Sequence, residues 1–374
     1  MKRYLKEIEN LKNMGRFRSI PKECPKDFIN FSSNDYLGIL SDNDLINRFK
    51  EENTDQLRFG SGSSRLLDGD SSYSRALEKL LSEKFSKFGD KKALLYNSGY
   101  HANSGILPAI TTNKDLIVSD FINHASIIDG MKLSNAQFKR YKHSSMEHLE
   151  SIVSKNYNKY EKIFIVTESL FSMDGDIAKL KKIIEIKKRY NCFLYIDEAH
   201  SFGVFGENGL GISEEMNILE DVDLYVATFG KALGSFGAFS ISNETIRSYL
   251  INSCRTLIFS TSLPPVNHLF TLYCLERDYL LKPKRDRVKE NINYLSKIFP
   301  FTIYSQIFPY ITGSDKSALD LSKKLRDSGI YSLAVRPPTV PENSARLRFS
   351  ITANHTKKDF DKLKLLLESF QDLK

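Results

Sequence analysis

The stretch "VATFGKALGSFGA" (residues 226–238) sets one lysine, Lys231, among three glycines at the end of an apolar run. A glycine-flanked lysine behind a strand usually signals phosphate binding through the pattern G-x-x-x-x-G-K-[ST]. The match fails twice. Tyr225 stands where the first glycine belongs, and Ala232 follows the lysine where Ser or Thr would hold magnesium. The runs around it show what presents the lysine. "ALLYNS" (93–98), "DLIVSD" (115–120), "KIFIVTE" (162–168), "CFLYIDE" (192–198), "DLYVAT" (223–228), "GAFSIS" (237–242) and "TLIFST" (256–261) read as strands, several apolar nearly throughout. Strands of that kind belong in a sheet covered on both faces. Between some of them lie helical patterns. Leu77, Leu80, Leu81, Phe85 and Phe88 form one stripe, and a Lys-rich helix is expected over about 178–190. The alternation predicts an α/β fold with a mostly parallel central sheet and helices on both faces.

A chain of 374 residues is long for one core. We expect an N-terminal helix and arm over 1–45, a large α/β domain over 46–274 and a smaller C-terminal α+β domain over 275–374. The opening "MKRYLKEIENLKNM" spaces Leu5, Ile8 and Leu11 as an amphipathic helix and lacks the apolar core of a signal peptide. The last helix is expected to open near Thr356, with Asp359 as a capping-box partner, and to bury Phe360, Leu363, Leu366, Leu367 and Phe370.

With 41% hydrophobic and 27% charged residues the composition is that of an ordinary globular protein. No apolar run approaches the ~18 residues of a membrane span. Cys24, Cys192, Cys254 and Cys274 show no C-x-x-C spacing, so free thiols of a cytoplasmic protein are expected, and no metal site. The net charge of +8 is diffuse; "KKIIEIKKRY" (181–190) reads as the solvated face of a helix. A basic surface would also attract an acidic partner such as nucleic acid or an acyl carrier protein.

In open α/β sheets the chemistry collects beyond the carboxyl ends of the strands. Those ends carry Ser98, Gly99 and Tyr100; Glu168 with "SLFSMDG"; Asp197 and His200; and Thr228 and Lys231. Each has an ordinary reading alone: Asp197 as a helix cap, His200 as a satisfied imidazole, Ser98-Gly99 as a turn. "DEAH" (197–200) also marks a class of nucleic-acid helicases, but no G-K-[ST] occurs anywhere in the chain, and "GSGSS" (60–64) lacks the lysine. The combination suits pyridoxal phosphate. That cofactor needs a lysine amine, here Lys231, for a Schiff base, and an anion, here Asp197, at its ring nitrogen. Its phosphate would lie on the amides after Ser98, with the Thr228 hydroxyl beside it.

At this point the chain resembles the α-oxoamine synthases, fold-type I pyridoxal-phosphate enzymes that join an amino acid to an acyl thioester with loss of carbon dioxide. The resemblance rests on "TFGKALGSFGA", "YIDEAHSFGVFG", "NFSSNDYLG" (30–38), "FGSGSSRLLDG" (59–69), "NSGYHAN" (97–103), "DFINHASIIDG" (120–130), "TESLFSMDGD" (167–176), "STSLPP" (260–265) and "RPPTVPENSARLRFSITANH" (336–355). It implies that His124 stacks on the cofactor and helps position substrate, and that His200 bonds the ring oxygen. Ser172, Gly99 and Tyr100 would support the cofactor. Thr261 would reach the phosphate in the other subunit of a homodimer with shared sites. Arg348 is the candidate for the amino-acid carboxylate, with Thr339 and Arg16 as further substrate contacts, while Arg346 and Arg336 read as structural partners. "RPPTVP" is most similar to the branch that uses L-alanine and a pimeloyl thioester, carried on acyl carrier protein or coenzyme A. Glycine with acetyl-CoA is the alternative. One departure stands out: Ser74 occupies a place where the family usually has histidine, and we read it as structural.

Overall fold

The computed structural model describes residues 1–371, and the side chain of Phe370 lies outside the described residues. Two compact units emerge: 37–171 with 176–286, and 1–36 with 172–175 and 287–374. The boundaries expected at 45/46 and 274/275 thus fall at 36/37 and 286/287, and the N-terminal arm is grouped with the C-terminal segment.

The larger unit holds a seven-stranded sheet. Its strands are β1 (Lys92–Tyr96), β2 (Leu116–Asp120), β3 (Gln137–Tyr141), β4 (Ile163–Glu168), β5 (Phe193–Asp197), β6 (Leu224–Thr228) and β7 (Ala238–Ser242). Their spatial order is β1-β7-β6-β5-β4-β2-β3. All neighbouring pairs are parallel except those of β7, which runs antiparallel to β1 and β6. Alternation along the strands sorts the side chains between two cores. Leu224, Val226 and Ala238 join Ile106, Leu107 and Ile127 from the helices Gly99–Ile110 and Ala125–Leu133. Tyr225 and Phe239 point the other way and meet Phe85 of the helix Ser72–Phe85 at 5.1 and 6.3 Å. Both faces are covered, as the apolar strands required.

Two expectations are corrected. "TLIFST" is no strand: Arg255–Ile258 is a short helix, with Leu257 buried and Phe259 69% exposed. The edge strand β3, "QFKRY", is exposed along most of its length and carries no apolar run to announce it.

The second unit contains a three-stranded antiparallel sheet of β8 (Ile307–Gly313), β9 (Ala334–Val335) and β10 (Ala345–Ser350), with β10 in the middle. Ile29–Asn30 pair in parallel with Ile330–Tyr331, which ties the N-terminal segment into this unit. Phe31 stacks on His355 at 4.3 Å and packs on Phe349 and Phe360. The last helix, Lys357–Gln371, opens as expected: Asp359 accepts from the backbone N–H of Thr356 at 2.7 Å. Phe360, Leu363 and Leu367 are buried and Leu366 is half-buried.

Candidate active site

Sheet register decides which side chains share a rim. Strand β4 ends at Glu168, which pairs with Asp197 at the end of β5, and Asp197 pairs with Val226 of β6. Asp120 ends β2 and Thr228 ends β6, so the carboxyl edge of the large sheet holds three carboxylates and a hydroxyl.

Asp197 is 5% exposed. One oxygen accepts from Asn103 Nδ2 at 2.7 Å and the other from the N–H of Ala199 at 2.8 Å. Both donors are neutral, so they orient the carboxylate without cancelling its charge. A buried carboxylate held in this way suits a cationic ring nitrogen. Glu168, 3% exposed, accepts the backbone N–H of His124 at 2.6 Å. Burial pushes its carboxyl well above the usual range, and the adjacent Asp197 charge adds to this, while the Lys231 charge and the His124 N–H act in the opposite sense.

His124 is exposed at the N-terminus of the helix Ala125–Leu133. Partial burial nevertheless lowers its imidazole pKa, with the Lys231 charge acting in the same sense and Asp197 opposing. His200 is 6% exposed in the turn after Asp197. Lys231 is half-buried in the turn between β6 and β7, where its carbonyl accepts from the N–H of Gly234 at 3.0 Å. Thr228 Oγ1 donates to the Gly237 carbonyl at 2.8 Å and accepts from the N–H of Gly230 at 3.2 Å.

Ser98 caps the helix Gly99–Ile110 through the N–H of His101 at 3.2 Å. At Gly99 an added Cβ would meet only the Thr228 Cβ, at 3.8 Å, so the helix N-terminus opens beside that hydroxyl. Amide donors, a hydroxyl and open space there fit a phosphate. Tyr100 is 48% exposed and donates to Asp129 at 2.5 Å. Thr261 is exposed; its carbonyl accepts from Asn97 Nδ2 at 2.7 Å and its backbone bridges to Ser64. These residues together fit pyridoxal phosphate.

The smaller unit holds the remaining candidates. Arg348 is 8% exposed. Its guanidinium donates to the Ser172 carbonyl at 2.5 Å, Asn34 Oδ1 at 2.9 Å, Ser350 Oγ at 2.7 Å and Tyr36 Oη at 3.0 Å. All four acceptors are neutral, so the buried cation keeps its charge for a ligand anion. Arg346 differs, since it pairs with Asp174 at 2.7 Å as a structural partner. Arg336 donates to the Gly15 carbonyl and forms no ion pair among the described residues. Arg16 is paired with Asp315 at 3.0 Å and with Glu342. Thr339 is exposed and accepts from Arg18 at 2.8 Å. Ser74 is fully buried in a capping box with Ser71 and donates to Asp70 at 2.7 Å, a structural place.

Sequence reasoning missed Asn103, Ser126, Asn34 and Tyr36, all inside quoted motifs but without assigned roles. The available signal was polarity: Asn103 is 1% exposed on a helix whose neighbours Ala102, Ile106 and Leu107 are apolar and buried.

Residues 26–364 match the family described as aminotransferase class I and II. A Haemophilus influenzae protein named "Putative 8-amino-7-oxononanoate synthase" is 43% identical over 375 residues, covering 95% of this chain and 97% of its own. A Neisseria meningitidis protein of the same name is also 43% identical, with 94% and 96% covered. Among solved structures, serine palmitoyltransferase from S. paucimobilis with a bound PLP–myriocin aldimine superposes with a TM-score of 0.88 at 28% identity, covering 98% of this chain and 96% of that one. The 8-amino-7-oxononanoate synthase of Francisella tularensis gives 0.75 at 30% identity, with 93% and 99% covered. The fold is that of pyridoxal-phosphate-dependent acyltransferases. This chain belongs to the aminotransferase class I and II family, and within it to the α-oxoamine synthases. "DEAH" is therefore the end of a strand and its turn in a transferase.

Proposed function

We propose that this enzyme condenses L-alanine with a pimeloyl thioester, releasing carbon dioxide and the free thiol and forming 8-amino-7-oxononanoate, a step of biotin biosynthesis. The observation that carries the chemistry is the buried Asp197 carboxylate, oriented by neutral donors on the rim that also bears Lys231. The choice of substrates is supported by relatives 43% identical over almost the whole chain.

Pyridoxal phosphate, when bound, supplies the carbonyl that captures the amino group and a ring that takes up the electron pair left at Cα. Lys231 anchors it and, once displaced by the amino acid, takes the Cα proton on Nζ. Asp197 keeps a proton on the ring nitrogen by opposite-charge stabilisation. The amides of Gly99 and Tyr100 with the Ser98 cap and Thr228 hold the phosphate. Thr261 is assigned the phosphate of a second subunit's cofactor. The exposed Phe59, Leu66, Leu67 and Phe259, near in sequence to the Ser64–Thr261 bridge, support a homodimer built on that surface. His200 is assigned the ring oxygen, Ser172 a supporting contact, and His124 the ring face and the substrate. Arg348 grips the amino-acid carboxylate, a task that suits a buried guanidinium surrounded by neutral acceptors. Arg16 and Thr339 are assigned to the acyl substrate.

The acyl donor arrives on acyl carrier protein or coenzyme A, both anionic and suited to a chain of net charge +8. No described helix is long and apolar enough to cross a membrane, and we place the enzyme in the cytoplasm. A second reading keeps the chemistry and changes the substrates to glycine and acetyl-CoA. The TM-score of 0.88 with a serine palmitoyltransferase favours a site framework common to several substrate pairs. The test incubates the enzyme with either pair and reads products by mass spectrometry, with Lys231→Ala as control. 8-Amino-7-oxononanoate from the first pair alone is expected. Product from the second pair alone would overturn the substrate assignment, and full turnover by Lys231→Ala would overturn the mechanism.

A further inference from the structure

Asn103 is a junction between Asp197 and His124. Its Oδ1 accepts from the Tyr195 hydroxyl at 2.5 Å, and its Nδ2 donates to Asp197 at 2.7 Å and to Ser126 Oγ at 2.9 Å. The amide orientation follows from its neighbours. Burial holds the Tyr195 phenol well above its ordinary pKa, so it is a hydroxyl donor and requires an acceptor. The Asp197 carboxylate requires a donor. The amide oxygen therefore faces Tyr195 and the nitrogen faces Asp197 and Ser126.

This arrangement propagates. Ser126 Oγ, already accepting from Asn103, has one proton left to give, and His124 Nδ1 lies 2.8 Å away. The backbone N–H of Ser126 points at the same ring nitrogen from 3.2 Å. Two donors converge on Nδ1, which must then carry a lone pair. We propose that the Asn103–Ser126 chain fixes His124 as a neutral imidazole protonated at Nε2 alone, making Asn103 and Ser126 positioning residues for both His124 and Asp197. Without the Ser126 hydroxyl that Asn103 holds in place, one of the two donors to Nδ1 is lost, and the ring is freer to change tautomer or take up a proton.

The charged groups around the ring pull in different directions. Asp197 and Asp129 favour the imidazolium, Lys231 opposes it, and partial burial opposes it most. Glu168 touches only the backbone N–H of His124 and leaves the ring nitrogens alone. The consequence is chemical. Nε2 carries the proton in the resting enzyme, so His124 gives a hydrogen bond to its ligand and does not serve as the base. What that bond acts on rests on the proposed reaction; the tautomer does not.

The test uses cofactor-free and cofactor-loaded protein labelled with ¹⁵N-histidine, followed by long-range proton–nitrogen correlation between about pH 5.5 and 8, the range where a free imidazole titrates. His124→Asn identifies the signals. Wild type is expected to show an unprotonated Nδ1 and a protonated Nε2 throughout. Ser126→Ala and Asn103→Ala are expected to bring the ring into titration within that window, because each weakens the donation that stabilises the neutral form. A wild-type ring protonated at Nδ1, or forming an imidazolium near its ordinary pKa of about 6.5, overturns the proposal whether or not the variants fold. So do folded variants whose His124 signals match wild type. If the tautomer stands while every substrate pair fails, the proposed reaction falls and this inference survives.

Discussion

His143 offers the sharpest quantitative prediction. Its Nδ1 lies 3.0 Å from Asp120 and its Nε2 lies 2.9 Å from Asp176, with the Phe171 ring packed edge-on at 4.6 Å. Asp120 is anchored by the N–H groups of Ile122 and Ser144 at 3.0 and 3.1 Å. Burial works against the imidazolium, but the two carboxylates prevail and raise the pKa from 6.5 to about 10. At about 1.36 kcal/mol for each tenfold change in proton affinity, that displacement corresponds to at most about 5 kcal/mol. The His143 and Asp176 side chains are 29% and 31% exposed, so solvent screens part of it, leaving about 2–3 kcal/mol. The folded pKa lies above the unfolded one, so this stability is complete below about pH 6.5 and is lost as pH rises toward 10. His143→Gln should therefore lower Tm by about 5–10 °C at pH 6, using ~2–4 °C per kcal/mol for a unit of this size, and by little near pH 10. Thermal melts of both proteins across that range measure the difference. A deficit that stays constant with pH, or grows with it, would refute the argument, since a purely steric loss has no reason to follow a proton.

Asp197→Asn should slow exchange of the α-proton of alanine for solvent deuterium by about 10²-fold or more, because the ring nitrogen loses its anion; an unchanged rate would remove the assigned role. Arg348→Lys keeps the charge but loses the planar fork, so KM for the amino acid should rise about 10- to 100-fold, measured by steady-state kinetics. At Gly69 an added Cβ would stand 1.9 Å from the Ser63 carbonyl oxygen, so Gly69→Ala should distort the 63–69 turn and lower Tm, while Gly60→Ala, with nothing within 4 Å of its Cβ, should melt like wild type.

The central strands were legible because burial on both faces leaves them apolar along their whole length, as in the fully buried β2 and β4. The edge strand β3 lacks that pressure, and Lys139 and Arg140 read as surface loop. "TLIFST" misled for the opposite reason: its residues favour strands, yet one helical turn buries Leu257 and leaves Phe259 in solvent. The site residues at strand ends were legible from position alone. Asn103 was not, since one buried amide has no periodic signature, and its partners Tyr195, Asp197 and Ser126 lie far from it in sequence. His143 was hidden in the same way, with its two carboxylates on either side of it in the chain.

The parallel pairing of Ile29–Asn30 with Ile330–Tyr331 also sets a timetable for synthesis. The two partners are separated by about 300 residues, which a ribosome adds at about 5–20 per second. The first strand thus leaves the exit tunnel roughly 15–60 s before its neighbour exists, and Phe31 waits as long for His355 and Phe360. The larger unit, 37–171 with 176–286, has its whole sequence by residue 286 and is free to fold meanwhile. Chains truncated near residue 300 should accordingly carry a protease-resistant centre with a cleavable N-terminal tail, and only the full-length chain should protect residues 29–36.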